Sequence, residues 1–281
     1  MNPLEKYYRQ PAIYIKLPSK GKYYTKEVYT PTETGEIPIL PMTAKDEMAF
    51  KTPDAMINGQ STVDVIKSCV PNLLDPWKMV NYDTDAVLLA IRIATYGETM
   101  DITFRVPGTE EDQQHSMNLP ALLEDIGRIE IADSTTTSKG FKVDIQPLDY
   151  KTLTKIQIAR FEQQKMYGTI NSSTLTEEQK QTAFSKSFET LNTVNFSLLL
   201  DSIQEITTPD GAVVTDKQQI MDFVNNSDTK TVREIEEKLI ALRLQAQMKP
   251  IKVKATEEQI KKGAPATYDV PVTFDTSNFF V

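Results

Sequence analysis

The chain has 281 residues, a formal charge of −8, 40% apolar and 25% charged residues, the proportions of a soluble globular protein with a core in one large or two small domains. The acidic balance argues against general affinity for nucleic acid or anionic membrane, both of which require clustered Lys and Arg. No apolar run approaches the roughly 18 residues of a spanning helix, and Lys6, Arg9 and Lys16 interrupt any signal-peptide pattern.

Residues 1–40 read as an N-terminal extended arm and strand. Ile13, Ile15 and Leu17 alternate with Tyr14 and Lys16, and Ser19-Lys20-Gly21 supplies a turn. Tyr23, Tyr24, Val28 and Tyr29 then raise the aromatic density. This segment is either an arm that docks on a partner or a strand and loop that covers the helices, and the second is the simpler reading. Lys16, Lys20, Lys22 and Lys26 interleave with tyrosines as in single-strand nucleic-acid binders. Glu5, Glu27, Glu33 and Glu36 lie close by, so a structural role is preferred and no nucleic acid is expected.

Residues 41–132 read as a first helical block with a β-hairpin. Thr43 caps a helix from Ala44 to near Lys51, with Asp46 and Glu47 in its first turn and Pro53 beyond its end. Asp54 to Asn58 form one more turn, and Asn58-Gly59 a left-handed exit. Ser61 or Thr62 opens the next helix, which places Val63, Ile66, Cys69 and Val70 on one face before Pro71. Cys69 is the single cysteine, so no intrachain disulfide forms, and its apolar face marks it as core. Asp83 or Thr84 caps a further helix that turns Ala86, Val87, Leu89, Ala90, Ile93 and Ala94 inward and closes at Gly97. Met100, Ile102, Phe104 and Val106 then alternate with polar residues, and Pro107-Gly108 marks the turn of a hairpin over about 99–119. Pro120 starts a short helix to Ile126.

Residues 133–281 read as a second helical block with a C-terminal hairpin and an apolar tail. Ile129, Ile131, Phe141, Val143 and Ile145 suggest a small β element around the polar stretch Ser134–Gly140. A helix carrying Leu153, Ile156 and Phe161 ends at Gly168, and Asn171–Thr176 is a linker. Thr176 caps a long helix whose stripe, including Phe184, Phe188, Leu191, Leu198, Leu199 and Ile203, continues to Ile206. Thr208-Pro209-Asp210-Gly211 is a turn. Thr215 caps Asp216–Val224, and Thr229–Met248 is an amphipathic helix with Ile235, Leu239, Leu242 and Leu244 on its apolar side. Its charges, from Arg233 to Lys238, form a solvated face. Ile251–Lys254 and Tyr268–Phe274 make the second hairpin, over about 251–274. Phe279, Phe280 and Val281 either tuck into the body or dock on a partner. The predicted fold class is α+β, mainly α-helical with two small β-hairpin elements and an extended N-terminal segment.

Four stretches carry a resemblance: Leu17–Tyr24 (LPSKGKYY), Pro41–Pro71, Asp85–Glu98 (DAVLLAIRIATYGE) and Thr273–Phe280 (TFDTSNFF). Their wording resembles the baseplate hub protein family of T-even-type contractile-tailed bacteriophages. The resemblance implies a non-enzymatic role in building the tail baseplate hub, as a hub subunit or an assembly chaperone. It further implies other phage hub and tail proteins as partners, in host cytoplasm during assembly and, for a subunit that stays, in the virion tail. Relatives can carry paired cysteines of a zinc ribbon in the hairpin that corresponds to Thr103–Met117. This chain has none there, and His115 alone cannot supply a tetrahedral site. The contacts expected to face a partner are Tyr23, Tyr24, Phe279 and Phe280; the oligomeric state stays open.

The residues themselves indicate no catalytic group, cofactor or metal. His115 is the only histidine, it is expected in a polar loop, and no phosphate-binding glycine loop is present. The rival reading is a hub-associated, wall-degrading hydrolase that uses a carboxylate pair, Glu110-Glu111-Asp112 or Glu236-Glu237. Both pairs fall where solvated loops or helix faces are expected.

Overall fold

Ile37 and Ile39 supply what the first strand lacks, a partner with the same inward alternation. In a computed structural model, which describes residues 2–50, 59–172 and 176–271, β1 (Ile13–Lys16) and β2 (Glu36–Ile39) pair antiparallel, Ile13 opposite Ile39 and Ile15 opposite Ile37. Ile15, Leu17, Ile37 and Ile39 are buried on the helices that follow. Residues 13–39 therefore cover the first helical block, and β2 is a strand that the sequence pattern did not announce. Lys20 and Gly21 both take positive φ, which closes the turn after β1.

Helix α1 (Ala44–Phe50) starts as expected. The Thr43 N–H donates to Asp46 Oδ2 at 2.8 Å, and the Asp46 N–H donates back to Thr43 Oγ1 at 3.3 Å. The additional turn expected at 54–58 lies outside the described residues. Gly59 does take the left-handed conformation, φ +75°, but as the entrance to α2 (Gln60–Cys69). Ser61 and Thr62, expected to cap this helix, are instead buried in its first turn. A Cβ on Gly59 would stand 3.1 Å from Thr154 Oγ1, so the position suits glycine by both backbone and space.

Helix α3 (Asn81–Tyr96) runs through the middle of this block and is buried on most sides, with Ala86, Val87, Leu89, Ala90 and Ile91 fully enclosed. Its N-cap is Val80, not Asp83 or Thr84. The Thr84 hydroxyl donates to the Val80 carbonyl at 3.1 Å, and the Asp83 carboxylate is taken by donors from the N-terminal turn. At Asp83 local capping lost to tertiary hydrogen bonds, whereas Thr84 lies inside the first turn and bonds back to the N-cap carbonyl. After Gly97, β3 (Thr99–Arg105) and β4 (Asp112–Asn118) pair over seven residues. Helix α4 (Leu119–Gly127) follows; Asn118 Oδ1 accepts the Ala121 N–H at 2.9 Å, and Pro120 sits in the first turn, where its missing N–H costs nothing.

The second half is organised on a four-stranded antiparallel sheet, order β5-β6-β7-β8, of β5 (Ser134–Thr136), β6 (Lys142–Ile145), β7 (Ile203–Thr207) and β8 (Val213–Val214). Two expectations are corrected here. Strand β5 lies inside the polar Ser134–Gly140 stretch, while Ile131 and Phe141 are non-strand residues packed against the core beneath, and Ile129, also outside any strand, packs on the first block. The helical stripe expected to reach Ile206 stops at Ser202, because Val143 pairs with Ile206 and Ile145 with Ile203. The apolar run satisfies either period; the waiting β6 edge selects the strand.

Helices α5 (Tyr150–Ser172) and α6 (Glu177–Ser202) form a long antiparallel hairpin. Helix α5 continues through Gly168, where an end was expected. Residues 173–175 of the expected linker lie outside the described residues. Thr176 caps α6 in a full capping box with Gln179. Helix α7 (Lys217–Asn226) is capped by Asp216 rather than Thr215, and α8 (Thr229–Gln245), capped by Asp228, ends three residues before Met248. Ile220, Val224, Ile235, Leu239 and Leu242 pack on Leu199, Ile203 and the sheet, whereas Leu244, expected on the apolar side, is 63% exposed.

The second expected hairpin is present as β9 (Ile251–Lys254) and β10 (Thr267–Val270), with a short helix α9 (Glu257–Lys261) in its loop; residues 272–274 of the expected second strand lie outside the described residues. It packs directly on the first. Val106 shares a core with Val253, Ala264, Tyr268 and Val270, and the Phe104 and Tyr268 rings meet edge to face.

Candidate partner-binding surfaces

Binding surfaces need side chains that project from a rigid mount, and the N-terminal segment is mounted at two points. At the first, the Ser19 N–H donates to Asp83 Oδ1 at 2.8 Å, and the Ser19 hydroxyl and the Tyr24 hydroxyl, the latter at 2.6 Å, donate to Asp83 Oδ2. The Tyr24 oxygen also accepts the Val80 N–H at 3.0 Å. Burial pushes the Asp83 carboxyl up, against the downward pull of the Ser19 and Tyr24 donors; burial and Asp83 hold the Tyr24 phenol well above its ordinary value. Tyr24 thus works as an internal anchor at its hydroxyl. Tyr23 is half-buried and hydrogen-bonds Tyr82, while neighbouring Lys22 pairs with Asp133.

At the second mount, the Arg9 guanidinium bridges Asp46 Oδ2, the Ser68 carbonyl and hydroxyl, and the Pro41 carbonyl, with the Cys69 sulfur 3.6 Å away. Burial, reinforced by Asp46 and opposed by Arg9, pushes the Cys69 thiol up to about 11, so it is a core residue and a poor nucleophile. Between and around these mounts, Leu4, Tyr7, Tyr8 and Tyr14 are each more than half exposed, Tyr7 at 73%. Scattered apolar side chains on a surface are ordinary, but four within eleven residues form a concentration. The sequence reading placed the aromatic contact at Tyr23 and Tyr24; the more exposed rings precede them.

The α5–α6 hairpin is the second candidate. Its base is fixed: Tyr150 stacks on Trp77 at 5.6 Å, its N–H donates to the Met79 carbonyl at 2.7 Å, and Leu148, Ile156 and Leu198 form a small core. Further out the Ser187 hydroxyl donates to the buried Gln163 side chain, and Tyr167 stacks on Phe184 at 5.4 Å. From Gln163 to Ser172 the helix reaches about 14 Å at 1.5 Å per residue. Phe161 and Phe188 stand 58% and 59% exposed on two helices that are otherwise polar around most of their circumference.

The joined hairpins are the third. Lys262 pairs with Glu111, Gln259 Nε2 donates to Gln113 Oε1 at 3.1 Å, and the Tyr268 hydroxyl donates to the same oxygen at 2.9 Å. The two turns meet at Gly108 and Gly263, both with positive φ, and a Cβ on Gly108 would stand 2.5 Å from the Gly263 carbonyl oxygen. Side-chain hydrogen bonds, one ion pair and a small apolar core thus link the two hairpins. His115, expected in a loop, lies in β4 opposite Ile102. Among the described residues no group of three or more His, Cys, Asp or Glu is placed to hold a metal.

The acidic candidates are dispersed. Glu111 is paired with Lys262 and Asp112 lies 3.6 Å from Arg105, while Glu236 and Glu237 sit exposed on α8. Among the described residues the carboxyls held above their ordinary values are elsewhere, both on α3: Asp83 and, pushed by burial up to about 7, Asp85. Phe279 and Phe280 lie outside the described residues. Among the described residues no helix is long and apolar enough to cross a membrane.

Residues 11–264 match the family model described as T4 bacteriophage base plate protein. No curated protein and no solved structure matches the chain.

Proposed function

The chain belongs to the T4 bacteriophage base plate protein family, and from that premise we propose that it acts in the baseplate hub, by protein–protein contacts and without catalysis. The observation that carries this reading is the run of exposed Leu4, Tyr7, Tyr8 and Tyr14 beside the rigid Arg9 and Tyr24 anchors. Aromatic rings with few rotatable bonds, held on a fixed mount, lose little entropy on docking and dominate interface energetics. Tyr23 and the aromatic end, Phe279 and Phe280, extend the set of candidate contacts. The α5–α6 hairpin suits a similar role, because polar helices that project from a body meet other subunits without burying a large apolar face of their own.

Partners are other hub and tail proteins, met in host cytoplasm during assembly. Two versions of the role differ in fate: a hub subunit stays in the particle, and an assembly chaperone leaves it. Quantitative mass spectrometry of purified virions beside assembly intermediates tests both. A fixed small copy number in virions identifies a subunit; abundance in intermediates with absence from virions identifies a chaperone; absence from both overturns the hub reading.

A further inference from the structure

The first hairpin leaves a backbone edge open. Strand β3 pairs with β4 alone, and the bonds at the two ends of that ladder, the Val106 N–H to the Glu111 carbonyl and the Leu119 N–H to the Glu98 carbonyl, both at 2.9 Å, fix its parity. In an antiparallel pair, residues that bond across the ladder alternate with residues whose N–H and C=O point away. Even-numbered residues of β3 therefore bond to β4, and Thr99, Asp101, Thr103 and Arg105 turn their backbone groups outward. Among the described residues no other backbone group bonds to them.

Edges of this kind are normally blunted by short length, lysine, proline or a bulge. Strand β3 has seven residues, carries neither lysine nor proline, and keeps one unbroken register with β4. Among the described residues no strand outside this hairpin is longer than the five of β7, while β2 contains Pro38 and β9 contains Lys252 and Lys254.

The open edge is also complementary to itself. When two β3 strands run antiparallel about a two-fold axis at Thr103, Asp101 of each copy stands opposite Arg105 of the other, and Ile102 opposite Phe104. The parity is the required one: Asp101, Thr103 and Arg105 are outward residues, so each facing pair exchanges both its backbone hydrogen bonds. The faces match as well. Thr99, Asp101, Thr103 and Arg105 are exposed and Met100, Ile102 and Phe104 are half-buried, so charges meet on the solvent side and apolar side chains on the other. Exposed ion pairs add little affinity, but they fix register, and a slip of two residues puts Arg105 opposite Thr99 or Thr103. Strand β4 offers no such match, since it holds no lysine or arginine to face Asp112.

We propose that this chain self-associates through β3, two copies joining their first hairpins into one four-stranded antiparallel sheet with the axis at Thr103. Such a contact uses the same patch on both copies and closes at two. It stands independently of the hub assignment.

Sedimentation equilibrium of the full chain tests it. The apparent mass is expected to rise with concentration toward twice that of one chain and no further. Thr103→Pro removes an outward N–H and no β3–β4 bond, so this variant is expected to melt close to wild type and to stay monomeric. Asp101→Arg and Arg105→Glu each set like charges across the axis. Each variant alone is expected to associate at least several-fold more weakly than wild type. An equimolar mixture of the two is expected to regain a dimer with one chain of each, because both facing pairs are then opposite in sign. That exchange decides the register even where Thr103→Pro fails to fold. A wild type that stays monomeric, assembly beyond two copies, a dimer unaffected in folded Thr103→Pro, or a mixture no stronger than the separate variants overturns the proposal.

Discussion

The Arg9 guanidinium lies 3.2 Å from Asp46 Oδ2 and donates to the Ser68 carbonyl, 59 residues away in sequence, at 2.7 Å, so one side chain joins the start of α1 to the end of α2. Asp46 is nearly enclosed and also accepts from the Thr43 hydroxyl and the Ser68 hydroxyl. Arg9→Ala strips the carboxylate of its counter-charge and leaves three other donors, the Thr43 N–H and the Thr43 and Ser68 hydroxyls. A loss of about 2 kcal/mol is expected, read as a lower urea midpoint at unchanged m-value. An unchanged midpoint removes the anchor role.

Burial places Asp85 near 7, far above an exposed carboxyl. A carboxyl whose folded value exceeds its unfolded one stabilises the fold while protonated, a contribution present below about pH 4 and lost as pH rises through about 7. Asp85→Asn lacks this loss. Its melting temperature is therefore expected to gain on wild type between pH 4.5 and pH 8, and a constant difference across that range refutes the assignment.

The hairpin clasp makes unequal demands on its glycines. Gly108 and Gly35 share a positive φ, but only Gly108 faces another backbone; around Gly35 nothing lies within 4 Å of an added Cβ. Gly35→Ala should cost about 1 kcal/mol from backbone conformation alone, and Gly108→Ala about 2 kcal/mol or more because the Gly263 carbonyl must move. Equal melting temperatures for the two variants count against contact between the turns.

Replacing Tyr7, Tyr8 and Tyr14 together by Ser removes exposed rings whose polar contacts are local, Asn2 with the Tyr8 hydroxyl and the Lys6 ammonium over the Tyr7 ring. Each change is expected to alter stability by no more than about 0.5 kcal/mol, while incorporation into baseplate intermediates, measured by gradient sedimentation of infected-cell lysate, falls at least several-fold. Normal incorporation excludes this stretch as the contact.

Cys69 should resist alkylation at pH 8 in the folded protein, since its thiol is enclosed and shifted up to about 11. Iodoacetamide labelling is expected to follow global unfolding as urea increases. Rapid labelling without urea contradicts the packing of α2.

The elements legible in the sequence were those whose signals are local. Thr43, Thr176 and the stripe of α3 declare helices through a capping side chain or a 3.6-residue period, and Pro107-Gly108 and Thr208–Gly211 declare turns because their backbone conformations suit few residues. The absence of four zinc ligands from the first hairpin was equally plain, since it depends only on residue types. Tertiary structure decided the positions where one residue type satisfies two local rules. Asp83 could cap a helix, yet Ser19 and Tyr24 claim its carboxylate; Ile203–Ile206 could prolong α6, yet the edge of β6 draws them into a sheet. Tyr24 reads as a surface ring until Asp83 and Val80 are found at its hydroxyl. The union of two hairpins some 150 residues apart was hidden for the same reason. A hydrogen bond or buried contact between distant residues leaves no period in either segment, and it becomes visible only when the chain has brought both together.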